Sequence, residues 1–275
     1  MRSHLATVGD VSLDPARRVA VVIPAKNEAE RVAATVRAAR AIMRVDLVIV
    51  VDDGSTDETQ HVARNAGAAV VRHSVNRGKA SALETGAAVV AMRDIDNRPP
   101  RHLLFIDADL GESAVACNDL VAAVLAGKTD LAIAVLPPQA GAGGRGLVVT
   151  KARRAIERFT GWQPVAPLSG QRCITREAYQ AAVPLSRGWG VETGMSIDVL
   201  RAGFTVQEIP CDLQHRPTGN DMSGQLHRAG QYRDVILAAA KRRIGGTRIP
   251  SAVLQRAASH QQPGLPYSLS HSGER

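Results

Sequence analysis

Leu103-Leu104-Phe105-Ile106-Asp107-Ala108-Asp109-Leu110 is an apolar run that stops on two carboxylates one residue apart. It is too short for a helix and long enough for a buried strand. On a strand, side chains at i and i+2 project to the same side, which predicts that Asp107 and Asp109 stand together at its carboxyl end. Two anions so placed repel unless a cation lies between them. Hard divalent ions such as Mg²⁺ or Mn²⁺, which favour carboxylates combined with water and phosphate oxygens, supply that charge. The plain alternative is a helix cap or a solvated loop, and an Asp-x-Asp pair does not by itself decide the matter.

Similar apolar runs recur at Val19–Ile23, Leu47–Val51 and Ala69–Val71 before this one and at Leu131–Leu136 after it. Segments of helical period separate them. Glu28–Met43 carries Val32, Val36 and Ala39 on one face; Asp57–Ala66 follows a Ser-Thr-Asp start suited to capping; Ala80, Leu83, Ala87 and Val90 share a face. Strands alternating with helices build βαβ units, so the predicted fold is α/β, an open, mostly parallel, Rossmann-like sheet flanked by helices. Ligands of such sheets sit in the crevice at the carboxyl ends of the strands. There the first strand runs into Ile23-Pro24-Ala25-Lys26-Asn27-Glu28 and the second into Val50-Val51-Asp52-Asp53-Gly54-Ser55-Thr56-Asp57. No GxGxxG follows the first strand and no Lys-Ser/Thr follows Gly146, so dinucleotide-fingerprint and P-loop readings fall.

Beyond Leu136 the pattern changes. Pro137–Gly146 is Pro/Gly-rich and reads as a mobile loop, more a lid over a site than a domain boundary. A basic helix Leu147–Phe159, a strand near Gln171–Thr175, a helix from Glu192 to Ala202, a strand Thr205–Ile209 and a basic amphipathic helix Gln225–Arg243 are predicted after it. The organisation is then an N-terminal extension (1–18), one domain (19–245, divided at 136/137) and a polar, disordered tail (246–275). With 275 residues, 45% hydrophobic and 22% charged, the chain has an ordinary globular composition. Aromatics at 3% argue against nucleic-acid surfaces built from stacking rings. A net charge of +8 and a pI near 10.0 suit polyanions, phosphorylated small molecules or anionic membrane faces. Cys117, Cys173 and Cys211 form no CxxC pair and fit reduced thiols, and no stretch approaches a spanning helix. The expectation is a cytoplasmic protein, at most peripheral to the inner face of a membrane.

Four blocks, Ile23-Pro24-Ala25-Lys26-Asn27-Glu28, Asp52-Asp53-Gly54-Ser55-Thr56-Asp57, Asn76-Arg77-Gly78-Lys79-Ala80-Ser81-Ala82-Leu83 and Ile106-Asp107-Ala108-Asp109-Leu110, resemble in this order the GT-A glycosyltransferases of family 2 and the allied glucosyl-3-phosphoglycerate synthases. The likeness spans nearly all of Val19 to Arg243. It implies a GT-A fold with a C-terminal acceptor-binding portion. It also implies a metal-dependent enzyme moving a sugar from a nucleoside-diphosphate sugar, UDP-glucose first, to a small phosphorylated acceptor such as 3-phosphoglycerate. Transfer to a polyprenyl phosphate at the membrane surface is the alternative; a nucleotidyltransferase and a non-catalytic sugar-nucleotide-binding protein rank below both. A homodimer is left open, and so is the choice between retention and inversion.

The same resemblance implies roles by position. Pro24, Ala25, Asn27, Glu28, Asp53 and Ser55 hold the nucleoside, and Lys79, Asp107 and Ala108 approach the rest of the nucleotide sugar. Asp107, Asp109 and His215 bind Mg²⁺ or Mn²⁺. Gly144-Arg145-Gly146, Pro167-Leu168-Ser169-Gly170-Gln171, Gly188-Trp189-Gly190-Val191-Glu192-Thr193-Gly194 and His215-Arg216 look like the acceptor half of the synthases, which assigns Arg145, Ser169, Gly170, Gln171 and Arg216 to the acceptor. Ser169 and Gln171 stand where the synthases carry a small residue and an acid. Catalysis falls to Asp109, Lys79 and Glu192. Lys79 opens its helix, where a cation is unhelpful and invites an anionic partner. Glu192 is either a general base or a group that orients the acceptor, in a first turn that favours an acid in any case.

Overall fold

The computed structural model describes residues 16–137, 146–188, 190–213, 234, 237, 238, 240 and 249–269. Within them the strands are β1 (Val19–Ala25), β2 (Val45–Asp52), β3 (Ala69–Arg72), β4 (His102–Phe105), β5 (Leu131–Val135), β6 (Arg172–Ile174) and β7 (Val206–Pro210). The helices are α1 (Val32–Arg40), α2 (Thr59–Asn65), α3 (Lys79–Met92), α4 (Asn118–Leu125), α5 (Gly146–Thr160), α6 (Arg176–Ala182) and α7 (Gly190–Arg201), with a further helix at Ser251–Ser259. One seven-stranded sheet has the order β3-β2-β1-β4-β6-β5-β7. All pairs are parallel except those of β6, which runs antiparallel to both β4 and β5.

Strand alternation divides the core into two layers. Val19, Val21, Ile23, Val50 and Leu104 pack with Val32, Val36 and Ala39 of α1 and Leu120 of α4. Ala20, Val22, Ile49, Val51, Leu103 and Phe105 pack on the opposite face with Leu83 and Ala87 of α3, Tyr179 of α6 and Met195 of α7. The central strands are apolar at nearly every position because both faces are covered. A slip of one residue would exchange the two layers and strand each fully buried Val, Ile or Leu, worth about 1.5–3 kcal/mol apiece, against a foreign surface.

Polar groups close the amino ends of the strands. Arg101 reaches Asp46 at 2.7 Å and Asp94 at 2.9 Å, and Arg176 meets Asp94 at 2.9 Å. The carboxyl ends of β1, β2 and β4 lie at the opposite edge of the sheet. Cys117, Cys173 and Cys211 are buried free thiols. Among the described residues no helix is long and apolar enough to cross a membrane.

Two expectations are corrected. Helix α1 begins at Val32 rather than Glu28, because Lys26–Arg31 is taken by a loop tied to the next strand. The region after residue 248 is not disordered through 269. Ser251–Ser259 is helical, and Tyr267 pairs with Val206 in an antiparallel bridge. The Tyr267 hydroxyl donates to the carbonyl of Thr160 at 2.7 Å, and its ring stacks on Trp162 with centroids 6.3 Å apart. Polar composition concealed these anchors, since Ala257 and Tyr267 suffice to seat the segment. The expected helix Gln225–Arg243 lies almost wholly outside the described residues, as does most of the Pro/Gly-rich loop. Replacing Tyr267 with Ala should lower the free energy of unfolding by about 3 kcal/mol, read by urea denaturation; a loss below ~1 kcal/mol would place the segment off the core.

Candidate functional site

The loops after β1 and β2 are stitched together. Asp53 N–H donates to the Ala25 carbonyl at 2.8 Å. Asn27, in the left-handed region at φ 55°, donates its N–H to Ser55 Oγ at 2.9 Å, and its side-chain oxygen accepts from Thr56 N–H at 2.9 Å. Asn is among the few residues that take this conformation cheaply. Glu28 N–H donates to Thr59 Oγ1 at 2.8 Å. The structure thus gathers Pro24, Ala25, Asn27, Glu28, Asp53 and Ser55 at one place, and part of the polar capacity of Asn27 and Ser55 goes into shaping it. Asp52 is wholly buried and accepts from Ser55 N–H at 2.9 Å.

Asp53 organises the approach to α3. Its carboxylate accepts from the N–H groups of Arg77 and Gly78, both at 2.8 Å, and contacts His73 Nδ1 at 2.7 Å. Burial works against its charge, but the Arg77 N–H, His73 and the Gly78 N–H outweigh it and hold the carboxyl below its ordinary value. Gly78 sits at φ 88°, closed to ordinary side chains, and turns the chain so that Lys79 starts the helix.

Lys79 is the centre of the site. Its Nζ lies 2.8 Å from Asp107 Oδ1 and 3.0 Å from Glu192 Oε1. Burial alone would depress the ammonium's pKa; Asp107 and Glu192 raise it above that of an ordinary lysine. The anionic partner invited by a cation at a helix start is therefore internal. Glu192, in the first turn of α7, is 3% exposed, and its Oε2 has no hydrogen-bond partner within the protein.

Asp107 is placed differently from the strand reading. β4 ends at Phe105, and Asp107-Ala108-Asp109 form a turn beyond it, so the i, i+2 argument does not apply. Asp107 Oδ2 accepts from Gln171 Nε2 at 2.7 Å, and the Gln171 amide oxygen accepts from Ser169 Oγ at 3.3 Å. Gln171, expected among acceptor contacts, is fully buried and serves Asp107 instead. Gly170 presses against the pair: a Cβ there would lie 2.7 Å from Lys79 Nζ and 2.8 Å from Asp107 Oδ2. The turn is pinned from below by Thr35 of α1, whose hydroxyl donates to the Ala108 carbonyl and accepts from Gly111 N–H, both at 2.8 Å.

Arg172, fully buried on β6, ties the second half together. It donates to the carbonyls of Ser169 at 2.7 Å and Glu192 at 2.9 Å and to Ser196 Oγ at 2.9 Å. Burial lowers its pKa to about 10, against the pull of Glu192 and Glu208. Thr35, His73, Thr59 and Arg172 are the functional supports that sequence reading missed. Thr35 alone left a trace, as a polar residue on the apolar face of α1.

Arg145, His215 and Arg216 lie outside the described residues. Among the described residues no cluster of three or more His, Cys, Asp or Glu side chains could hold a metal. Asp107 and Asp109 are nonetheless hard oxygen donors, half-buried at the mouth of the sheet. They fit an ion that takes one or two carboxylates and completes its shell from water and substrate phosphates. A cavity of about 710 Å³ rests against the first turns of α3, lined by Arg77, Ser81, Glu84, Leu185, Arg187 and Asp234, but none of the cluster residues borders it.

The model of Glycosyl transferase family 2 matches residues 20–173. Glycosyltransferase AglJ of Haloferax volcanii is 29% identical over 206 residues, 74% of this chain and 65% of AglJ. Glucosyl-3-phosphoglycerate synthase of Mycolicibacterium smegmatis is 31% identical over 207 residues, 70% of this chain and 67% of the synthase. The chain thus spans about two thirds of these relatives. The crystal structure of glucosyl-3-phosphoglycerate synthase from Mycobacterium tuberculosis with phosphoglyceric acid superposes with a TM-score of 0.64 at 26% identity, covering 88% of this chain and 85% of that one. The same enzyme with Mn²⁺, UDP-glucose and phosphoglyceric acid gives 0.62 at 25%, over 87% and 86%.

The tightest constraint in the site is the gap at Gly170. Gly170→Ala should displace Lys79 from Asp107 and cost about 1–3 kcal/mol of stability in chemical denaturation; an unchanged stability would show that the loop yields freely.

Proposed function

Because the chain belongs to glycosyl transferase family 2, we propose that it transfers a sugar, glucose first among candidates, from a UDP-sugar to a small phosphorylated acceptor of the 3-phosphoglycerate kind. The observation that carries this reading is the Asp107–Lys79–Glu192 cluster at the carboxyl ends of the parallel strands, with Asp109 beside it. The mycobacterial synthase, of the same fold, is described with Mn²⁺, UDP-glucose and phosphoglyceric acid together. The net charge of +8 favours a polyanionic donor and a phosphorylated acceptor.

The stitched loops after β1 and β2 form the nucleoside shelf. Asp53 uses three of about four carboxylate acceptor positions internally, which leaves one for a base N–H. Lys79 has three donors, of which Asp107 and Glu192 take two, so one faces a diphosphate oxygen. Asp109 and Asp107, with His215, would hold the divalent ion, whose chemistry is to neutralise charge on the departing nucleoside diphosphate. Glu192 presents its unpartnered oxygen to an acceptor hydroxyl, either taking its proton or aligning it. Lys79 Nζ, 3.0 Å from the other oxygen of Glu192, fixes the orientation of that buried side chain. Arg145 and Arg216 meet the acceptor phosphate.

The test is UDP release from UDP-glucose with Mn²⁺ and 3-phosphoglycerate. Asp109→Ala should reduce turnover by about a hundredfold or more, and Glu192→Gln by roughly 10²–10⁴, both with the circular-dichroism spectrum of the parent. Full turnover in Asp109→Ala would remove the ion from this site; absence of UDP release by the parent with every phosphorylated acceptor tried would overturn the reaction itself.

A further inference from the structure

We infer that His73, which lies outside the four blocks, is a positioning residue for donor binding. It acts by fixing the carboxylate of Asp53 and, through it, the start of α3. The inference rests on the UDP-sugar reading and deepens it.

The ring is 6% exposed and joined at both ends. Its Nδ1 lies 2.7 Å from Asp53 Oδ1 and its Nε2 3.0 Å from Thr85 Oγ1 on the second turn of α3. A carboxylate only accepts, so Nδ1 carries the hydrogen and donates to Asp53. His73 is itself held by its backbone, whose N–H donates to the Asp52 carbonyl at 2.9 Å immediately after β3. The imidazole is thus a rigid strut between the ends of β2 and β3 and the side of α3. Asp53 in turn grips Arg77 N–H and Gly78 N–H, the last two residues before Lys79. A carboxylate rotates freely about its terminal bond unless partners on both oxygens stop it. His73 and the Arg77 N–H share Oδ1 while the Gly78 N–H holds Oδ2, and the three donors together set the plane in which the remaining acceptor position points. A charge-assisted hydrogen bond between buried groups is among the stronger of its kind. The two side chains of the central bond, His73 and Asp53, are both buried.

The two ends of the ring can be separated by substitution. His73→Asn places an amide N–H near the position of Nδ1 and keeps the Asp53 bond while losing Thr85. His73→Gln reaches toward the position of Nε2 and keeps Thr85 while losing Asp53. Thr85→Val removes the far bond alone. Calorimetric titration with UDP and Mn²⁺, at a temperature below every melting point, is paired with thermal melts of the unliganded proteins. The Asn and Val variants should bind UDP within about threefold of the parent, and the Gln variant about tenfold more weakly. Both His73 variants should melt earlier by similar amounts. In turnover assays the Gln defect should appear in KM for the UDP-sugar rather than in kcat. A purely structural His73 would lower both melting points without separating the UDP affinities of Asn and Gln, and that result overturns the inference. Parity of the Gln variant with the parent overturns it too. Should the Gln variant not fold, His73→Ala, which also loses the Asp53 bond, takes its place: UDP bound about tenfold more weakly than by the Asn variant upholds the inference, and equal affinities overturn it. A parent that binds no UDP with Mn²⁺ defeats the underlying donor reading instead, so the two failures are told apart.

Discussion

One ammonium between two carboxylates holds this site in being. Lys79 starts α3, Asp107 follows β4 and Glu192 opens α7; the three elements pack through one apolar layer, and the opposite charges tie their ends together. Removing the lysine would leave Asp107 and Glu192 facing each other with Glu192 almost fully buried. An unpaired buried carboxylate is far more costly than a lost surface ion pair. Much of the neighbouring polar structure supports this arrangement: Gln171 steadies Asp107, Arg172 holds the first turn of α7, and Asp53 fixes the residue before Lys79.

The arrangement explains why the second half of the chain is needed although the nucleotide shelf belongs to the first. β6 is three residues long and runs against its neighbours, yet it carries Arg172 and follows Gln171. Its insertion between β4 and β5 brings the Ser169–Gln171 segment beneath the Asp107 turn. A continuous parallel order would have placed another βα loop there, with its helix on a face rather than a side chain under the turn.

The strands that frame the site were legible because each is an apolar run that ends abruptly in polar residues, and local periodicity is sufficient to find such runs. The family blocks located Asp107, Asp109, Lys79 and Glu192. The partners were another matter. Gln171 and Asp107 are 64 positions apart, and an amide before a short strand gives no sign of the carboxylate it will meet. Arg172 reads as a surface residue in any window of sequence, and only the closing of two halves around it makes it the largest fully buried side chain among the described residues. The Asp-x-Asp pair misled in geometry because strand alternation was extended past the last ladder bond. The C-terminal segment misled in composition because one tyrosine and one small helix outweigh many serines and glutamines.

That C-terminal segment also settles the fate of an exposed border. β7 is the last strand on its side, and a bare strand there would offer its backbone to any other extended chain. Tyr267 exchanges both backbone hydrogen bonds with Val206, and Gln207 donates to the Gly264 carbonyl. The protein thereby guards its own margin against sheet-to-sheet association. Without those residues the backbone of Val206 would stand open to the extended chains of neighbouring molecules.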